Sequence, residues 1–128
     1  MSENHTKHFG QYMTPSWAAE ALIERHFSRL GSEDVVIEPS CGQGAFLSAL
    51  PAYVPAIGID IDPRMTADAR RLTGRHIIDG DFSTVQINAS PTAIIGNPPF
   101  KLLTIDKFLD RAQALLPDCG QVGFILPA

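Results

Sequence analysis

Residues 97–100, Asn-Pro-Pro-Phe, form the pattern with the most specific chemistry in the sequence. They follow the apolar run 93–96, which is typical of a buried strand. An exocyclic amino group on an aromatic ring is a poor nucleophile because its lone pair is delocalised into the ring. Acceptors on its two hydrogens favour a more nucleophilic nitrogen, and the Asn97 side-chain oxygen and the Pro98 carbonyl are suitable acceptors. Because the prolines fix the backbone and Phe100 offers a flat ring, the stretch predicts a clamp for a planar, amino-bearing ring.

A glycine pair marks a second candidate site, after the predicted strand 35–38. Gly42 and Gly44 allow a tight turn and a close backbone approach to a ligand. Leu47 stands where a third glycine would complete GxGxxG, so a plain strand-to-helix turn is an equally good interpretation. Asp60 follows Gly42 by 18 positions, close to the ~20 expected for a ribose-binding acid. The alternative is that Asp60 is a solvated loop acid.

A third candidate lies in the run Asp-Gly-Asp-Phe at 79–82. Asp81 could hydrogen-bond to a purine that Phe82 flanks, and Asp79 competes for the same role. A run of this composition is also typical of an ordinary turn.

Alternating apolar segments predict the elements that position these residues. Strands are expected over 35–38, 56–61, 75–81, 92–97 and 121–127, and helices over 17–30, 44–50, 63–72 and 104–116. Helical periods involve Trp17, Ala18, Ala21, Leu22 and Phe27 in the first helix, and Ile105, Phe108, Leu109, Ala112, Leu115 and Leu116 in the last. Asp62 is the expected N-cap of the third helix. The order predicts an α/β protein with a doubly wound parallel sheet and ligands at the carboxyl ends of its strands.

The amino-acid composition indicates which broad class of protein this chain belongs to. Hydrophobic residues make up 45% and charged residues 19% of 128 residues, which predicts a folded, soluble chain. The sequence shows no apolar run of the ~20 residues that a membrane span needs and no apolar signal core at its start. Cys41 and Cys119 form no CxxC pair and the four histidines have no ligand spacing, so we expect a cytoplasmic chain with reduced thiols and no metal. The net charge of −4 implies that any surface that grips nucleic acid lies on another segment or partner.

Taken together and in order, these motifs resemble those of class I S-adenosylmethionine-dependent methyltransferases. The resemblance is closer to the adenine-N6 DNA methyltransferases and covers residues 9–127. Its blocks are FGQYMTP (9–15), EPSCGQGAF (38–46), GIDIDP (58–63), GDF (80–82) and NPPF (97–100). Their order resembles the gamma arrangement, in which a target-recognition domain comes last. The resemblance implies a Rossmann-like, mostly parallel sheet and adenine-specific DNA methylation of the kind found in restriction–modification.

The resemblance also implies roles for individual residues. The cofactor S-adenosyl-L-methionine would be held at its methionine end by Tyr12, Thr14, Glu38, Ser40, Gly42 and Gly44. Its adenosine would contact Asp60, Ile61, Asp81 and Phe82. The catalytic residues holding the extruded target base would be Asn97, Pro98 and Phe100, with Asn97 also beside the cofactor.

The sequence departs from that family at its carboxyl end. The family fold has seven strands, whereas this chain stops as the fifth ends, so the resemblance implies a class I fold that is incomplete at the C-terminus. We expect a cofactor-binding catalytic domain over 1–128, with a closing segment at 9–30, a core at 34–128 and no target-recognition domain. Strand 121–127 would then be an apolar edge, covered by further chain or by self-association. The isolated chain is expected to be an inefficient sequence-specific DNA methyltransferase.

Other functions stay open. The same clamp would suit a methyltransferase acting on RNA or on a protein glutamine, and cytosine-N4 enzymes often carry Ser at the position of Asn97. A cofactor-binding domain without catalysis is a further alternative. Cytosine-C5 methylation needs a cysteine nucleophile after a proline, and here Ser40 separates Pro39 from Cys41.

Overall fold

Five parallel strands form the sheet at the centre of the described structure. The computed structural model describes residues 13–99 and 101–125. The strands are β1 (Val36–Pro39), β2 (Ala56–Asp60), β3 (His76–Asp79), β4 (Ala93–Gly96) and β5 (Gln121–Phe124). The helices are α1 (Ser16–His26), α2 (Ala45–Ala49), α3 (Pro63–Thr73) and α4 (Leu102–Leu115). The strand order is β3-β2-β1-β4-β5 with every neighbouring pair parallel, which confirms the predicted doubly wound α/β class.

The centre of this sheet is the point where the strand order reverses. Val36 of β1 is in register with Ala56 of β2 on one side and with Ala93 of β4 on the other. The chain builds outward from β1 through β2 and β3, then crosses to β4 and β5. In open α/β sheets the crevice at such a reversal, at the carboxyl ends of the strands, is where ligands bind. Here that crevice lies between the ends of β1 and β4.

Each face of the sheet carries its own hydrophobic core. Alternate side chains of the buried central strands enter opposite cores: Val36 and Ile95 pack on one face, and Ile37 and Ile94 on the other. Helices α1, α2 and α3 contribute to the first core, which includes Ala19, Ile23, Phe46, Leu47 and Ala69. Helix α4 covers the second with Phe108 and Ala112. Helices on both faces explain why these strands are apolar throughout rather than alternating.

The first helix differs from the sequence prediction in length and in its buried face. It ends at His26 instead of Leu30, and its buried residues are Ala19 and Ile23, with Phe27 continuing the same four-residue spacing just beyond the helix. Trp17, which the periodicity assigned to the apolar face, is 74% exposed. The predicted apolar face left out Ala19 and Ile23, although their regular spacing with Phe27 is what defines the buried stripe.

The other element predictions hold to within a few residues. Helix α4 begins at Leu102, two residues early, and buries Phe108 and Ala112, whereas Leu109 is 42% exposed. The predicted N-cap of α3 is confirmed, because the Asp62 carboxylate accepts a hydrogen bond from the Arg64 N–H at 2.9 Å. Strand β3 is shorter than predicted, at His76–Asp79.

Strand β5 lies at one edge of the described sheet. Its Val122 is 42% exposed, and its Gly123 packs so tightly on Phe27 that an added Cβ would lie 2.6 Å from that ring. The end of the predicted strand at 126–127 lies outside the described residues, and self-association through this edge stays a prediction. Over the described ranges, every helix is too short or too polar to cross a bilayer.

Candidate active site

The loop between β1 and α2 is an unusually tight turn. Ser40, Gly42 and Gly44 all adopt left-handed backbone conformations, with φ of 54°, 57° and 88°. Glycine adopts such conformations without strain, whereas Ser40 does so at a cost. The turn brings the Gly42 amide within 2.8 Å of a carboxylate oxygen of Asp60 at the end of β2. The glycine pair therefore shapes this loop, as the sequence predicted.

Asp60 joins the ends of two strands. Its second oxygen accepts a hydrogen bond from the Asp62 N–H at 2.9 Å, so one carboxylate binds the backbone after β1 and the backbone after β2. The side chain is 1% exposed. The alternative that Asp60 is a solvated loop acid is therefore wrong.

Glu38 is a second buried carboxylate, on β1 itself. It is 3% exposed, and its Oε1 accepts a hydrogen bond from the Leu47 N–H of α2 at 3.2 Å. Burial raises the pKa of this carboxyl well above its usual value, against the opposing effect of the backbone donors, and the nearby Asp60 charge adds to the rise. The site thus holds a carboxyl group whose charge would be stabilised by a cationic ligand.

Cys41 lies in the same loop but is packed in the core. It is 5% exposed, and burial raises the pKa of its thiol, with Glu38 and Asp60 adding to the rise. A thiol held neutral in this way is a poor nucleophile. This environment disfavours the cytosine-C5 chemistry that the sequence also disfavoured.

The acids Asp79, at the end of β3, and Asp81, just after it, have different environments. Asp79 binds the Thr66 hydroxyl and the Arg70 guanidinium of α3, and the Thr66 hydrogen bond, followed by that of Arg70, lowers the pKa of its carboxyl. Asp81 accepts hydrogen bonds from the N–H and hydroxyl of Ser83, at 2.9 and 2.8 Å. Asp81 therefore stabilises the turn that the composition of the run 79–82 suggested. The Asp79 carboxylate instead binds side chains of α3.

Phe82, next in the chain, is 1% exposed and belongs to the second core. It meets Phe108 edge-on, with ring centroids 5.0 Å apart and planes at 71°. The Phe82 ring is therefore held in place by the second core and does not project freely into solvent.

The end of β4 brings Asn97 to the central crevice. The Asn97 side-chain amide donates a hydrogen bond to the Thr14 hydroxyl at 3.2 Å, across 83 positions of the chain. Pro98 and Pro99 are buried, and the Pro99 carbonyl accepts the Lys101 N–H at 2.8 Å. In this amide the nitrogen is the donor and the oxygen is the atom that can accept a hydrogen bond. Phe100 lies outside the described residues.

Two neighbouring cavities collect most of the predicted site residues. The first, of about 330 Å³, is lined by Thr14, Glu38, Ser40, Gly42, Gly44 and Asn97 from the predicted set. The second, of about 190 Å³, is lined by Ser40, Asp60, Ile61, Asp81 and Phe82. Ser40 lines both, so the cavities adjoin at the β1 loop. Pro98 lines neither, and Tyr12 lies outside the described residues.

Sequence reasoning missed several lining residues. Met13, Gln43, Ser48 and Leu72 also line the first cavity, and Pro99, Lys101, Thr104 and Phe108 line the second. The sequence could have indicated Phe108, because it lies on the apolar face of the helix that follows the Asn-Pro-Pro motif. In residues 13–99 and 101–125, no three His, Cys, Asp or Glu side chains are grouped to hold a metal ion.

The sequence is similar to that of a known methyltransferase. Over 105 residues it is 32% identical to the Type II methyltransferase M.CvrRI of Paramecium bursaria Chlorella virus XZ-6E. The matched region is 78% of this chain but 27% of that protein, so the chain spans about a quarter of the relative's length. No model of a protein family matches the chain.

Solved structures share the fold. A Pyrococcus horikoshii protein proposed to be an RNA methyltransferase aligns with a TM-score of 0.76 and 22% identity, over 94% of this chain and 64% of its own. Geranyl diphosphate C-methyltransferase from Streptomyces coelicolor A3(2), solved with S-adenosyl-L-homocysteine, aligns with a TM-score of 0.75 and 15% identity, over 87% and 43%. The chain therefore has the Rossmann-like α/β fold of the class I methyltransferases.

Proposed function

We propose that this chain transfers a methyl group from S-adenosyl-L-methionine to the N6 amino group of adenine in DNA. Three observations support the proposal: the class I methyltransferase fold, the similarity to a Type II methyltransferase, and the order of the sequence motifs. The observation that carries it is that Asn97 of the Asn-Pro-Pro motif, Glu38 of β1 and Gly42 of the loop after β1 line one cavity. A group held by the loop would therefore lie beside the acceptors of the motif.

The chemistry of the two cavities fits the cofactor. A methionine ammonium is a cation, and Glu38 places a buried carboxyl in the first cavity. Ribose offers two hydroxyl donors, and Asp60 lines the second cavity, where Ile61 and Phe82 add apolar surface suited to a purine. Asp81, in the same cavity, can accept a hydrogen bond from the purine amino group. When bound, the cofactor would supply an electrophilic methyl group on a cationic sulfur.

The chain's own residues would activate the target nitrogen. The Asn97 oxygen and the Pro98 carbonyl would accept hydrogen bonds from the two amino hydrogens. These hydrogen bonds would favour a nitrogen whose lone pair is localised and available for attack. No strong base is needed before attack, because the proton is lost after the nitrogen becomes cationic. Transfer would be direct, with no covalent bond between enzyme and substrate, and the protein would contribute position and electrostatics.

The DNA itself would be gripped mainly by surfaces beyond this chain. The net charge of −4 offers little attraction for phosphates, and the relative M.CvrRI is about four times longer than the region it shares with the chain. Pairing of the β5 edge with another copy or with further chain is part of the same proposal.

The test is to identify the methylated product. We would incubate the chain, in excess over unmethylated DNA, with methyl-labelled cofactor under single-turnover conditions, and analyse the nucleosides by mass spectrometry. We expect label in N6-methyldeoxyadenosine. Label in N4-methyldeoxycytidine, or transfer to RNA or glutamine peptides in parallel reactions but none to DNA, would overturn the choice of substrate. Cofactor binding without transfer to any of them would favour a binding domain.

A further inference from the structure

Arg111 is an arginine of α4 that reaches into the loop after β3. Its two terminal nitrogens donate hydrogen bonds to the Phe82 carbonyl at 3.1 Å and to the Val85 carbonyl at 2.8 Å. Its guanidinium carbon also lies 6.0 Å from the centroid of the Phe82 ring. One side chain therefore holds both the backbone and the ring of Phe82.

The loop itself is closed by local bonds. The Asp81 carbonyl accepts the N–H groups of Thr84 and Val85, at 3.0 and 2.7 Å, and the Asp81 carboxylate accepts from Ser83. These bonds shape a turn but do not fix where the turn lies relative to the rest of the protein. Arg111 joins the backbone of the turn to α4 by hydrogen bonds, beside the packing of Phe82 on Phe108.

Helix α4 thus sets one wall of the second cavity. Phe108 and Arg111 are three positions apart on the same helical face, and both contact Phe82. Phe82 and Phe108 line the cavity, whereas Arg111 does not. Its influence on a ligand would pass through the ring that it holds.

We infer that Arg111 is a positioning residue for the adenosine end of the cofactor. It fixes the loop 82–85 so that the paired rings of Phe82 and Phe108 present a set apolar wall to the purine. The inference rests on the proposed function, because it assigns the second cavity to the nucleoside. Lysine would not replace Arg111, since one ammonium cannot match two carbonyls three residues apart as a planar guanidinium does.

The test compares Arg111→Met and Arg111→Lys with Lys107→Met, an exposed position on the same helix. Calorimetry would measure affinity for S-adenosylhomocysteine and for 5′-methylthioadenosine, which keeps the nucleoside but lacks the amino acid. Urea unfolding would first establish conditions in which each variant is fully folded. We expect both Arg111 variants to lose about tenfold in affinity for both ligands, and Lys107→Met to match the wild type.

Equal loss for both ligands would locate the effect at the nucleoside end. Wild-type affinity in fully folded Arg111→Met, or in Arg111→Lys if the Met variant does not fold, would overturn the inference and leave a purely structural role. Loss for S-adenosylhomocysteine alone would overturn it as well, since that effect belongs to the first cavity. Failure of the wild-type chain to bind either ligand would instead refute the proposed function.

Discussion

The two sides of the central crevice are built in different ways. On the side of β1 and β2, buried carboxylates bind backbone amides: Asp60 holds Gly42 and Asp62, and Glu38 holds Leu47. On the side of β4, the Asn97 side-chain amide donates a hydrogen bond to the Thr14 hydroxyl. We call the first side the cofactor side and the second the target side.

Because of this difference, we expect the two sides to contribute to different steps, the first to cofactor binding and the second to methyl transfer. The cofactor side is fixed by hydrogen bonds from the loop and helix residues that follow β1 and β2 to carboxylates on those strands, so it is preformed as part of the fold. The target side depends on a residue 83 positions earlier, in the segment just before α1. Changes on the cofactor side should therefore affect affinity and stability, whereas changes on the target side should affect the rate.

The largest expected effect is that of Asn97→Ala on turnover. Loss of one of two acceptors on the amino group should lower the single-turnover rate constant by about 10²- to 10³-fold, by analogy with the removal of a group that stabilises a transition state. Cofactor affinity should stay close to that of the wild type. Single-turnover kinetics and calorimetry would measure the two, with exposed Asn88→Ala as the control. Loss of cofactor binding in Asn97→Ala would place this residue on the cofactor side.

Asp60→Ala should show the opposite pattern. It removes an acceptor from the ribose and also leaves the half-buried Gly42 N–H and the buried Asp62 N–H without this partner. We expect a loss of about 1.5–3 kcal/mol in cofactor binding and a lower unfolding midpoint. Calorimetry and urea titration would be compared with Asp110→Ala, at an exposed position of α4. Unchanged cofactor affinity would remove Asp60 from the site.

Glu38 gives the cofactor side a pH dependence. Because its folded pKa is raised, the folded chain binds a proton that the unfolded chain has released, over the pH range between the two pKa values. Stability should then fall as pH rises through that range, by up to about 1.4 kcal/mol per pH unit. Glu38→Gln should abolish this slope, and urea unfolding from pH 4 to 8 would measure it. Exposed Glu24→Gln is the control, and a wild-type slope retained by Glu38→Gln would refute the assignment.

The smallest expected effect is that of Thr14→Val. This change removes the hydroxyl that receives the Asn97 amide but keeps the shape of the side chain. We expect stabilisation of the transition state to fall by about 0.5–1.5 kcal/mol, which lowers the single-turnover rate by up to roughly tenfold. The free energy of unfolding should change little. Thr14→Ser keeps a hydroxyl and should restore most of the rate. Equal rates for the Val and Ser variants would show that this hydrogen bond does not orient Asn97.

Much of the cofactor side could be predicted from the sequence because its signals are local. Glycines after a strand, an acid about 18 positions later and an Asp-Pro cap each depend on backbone geometry within a few residues. Those signals located the loop, Asp60 and the cap of α3. The same local rules failed for Trp17, since exposure depends on which helix face meets the sheet.

Contacts between distant segments were beyond such rules. No pattern in the sequence relates Thr14 to Asn97, or Arg111 to Phe82, because both pairs are brought together by the packing of helices on the finished sheet. The burial of Phe82 against Phe108 has the same origin. The sequence thus indicated many of the residues that line the two cavities, but not the contacts that hold them in place.

A crystal structure with a bisubstrate analogue would show directly whether the target nitrogen lies beside the Asn97 and Pro98 acceptors. In that analogue a short alkyl chain would link the N6 of adenosine to the amino-acid and adenosine frame of the cofactor. We predict that the linked N6 lies within about 2.7–3.2 Å of the Asn97 oxygen or the Pro98 carbonyl, while the cofactor adenosine lies against Phe82 and Asp60. An analogue whose N6 lies away from both acceptors, or whose cofactor adenosine lies outside the second cavity, would contradict the account.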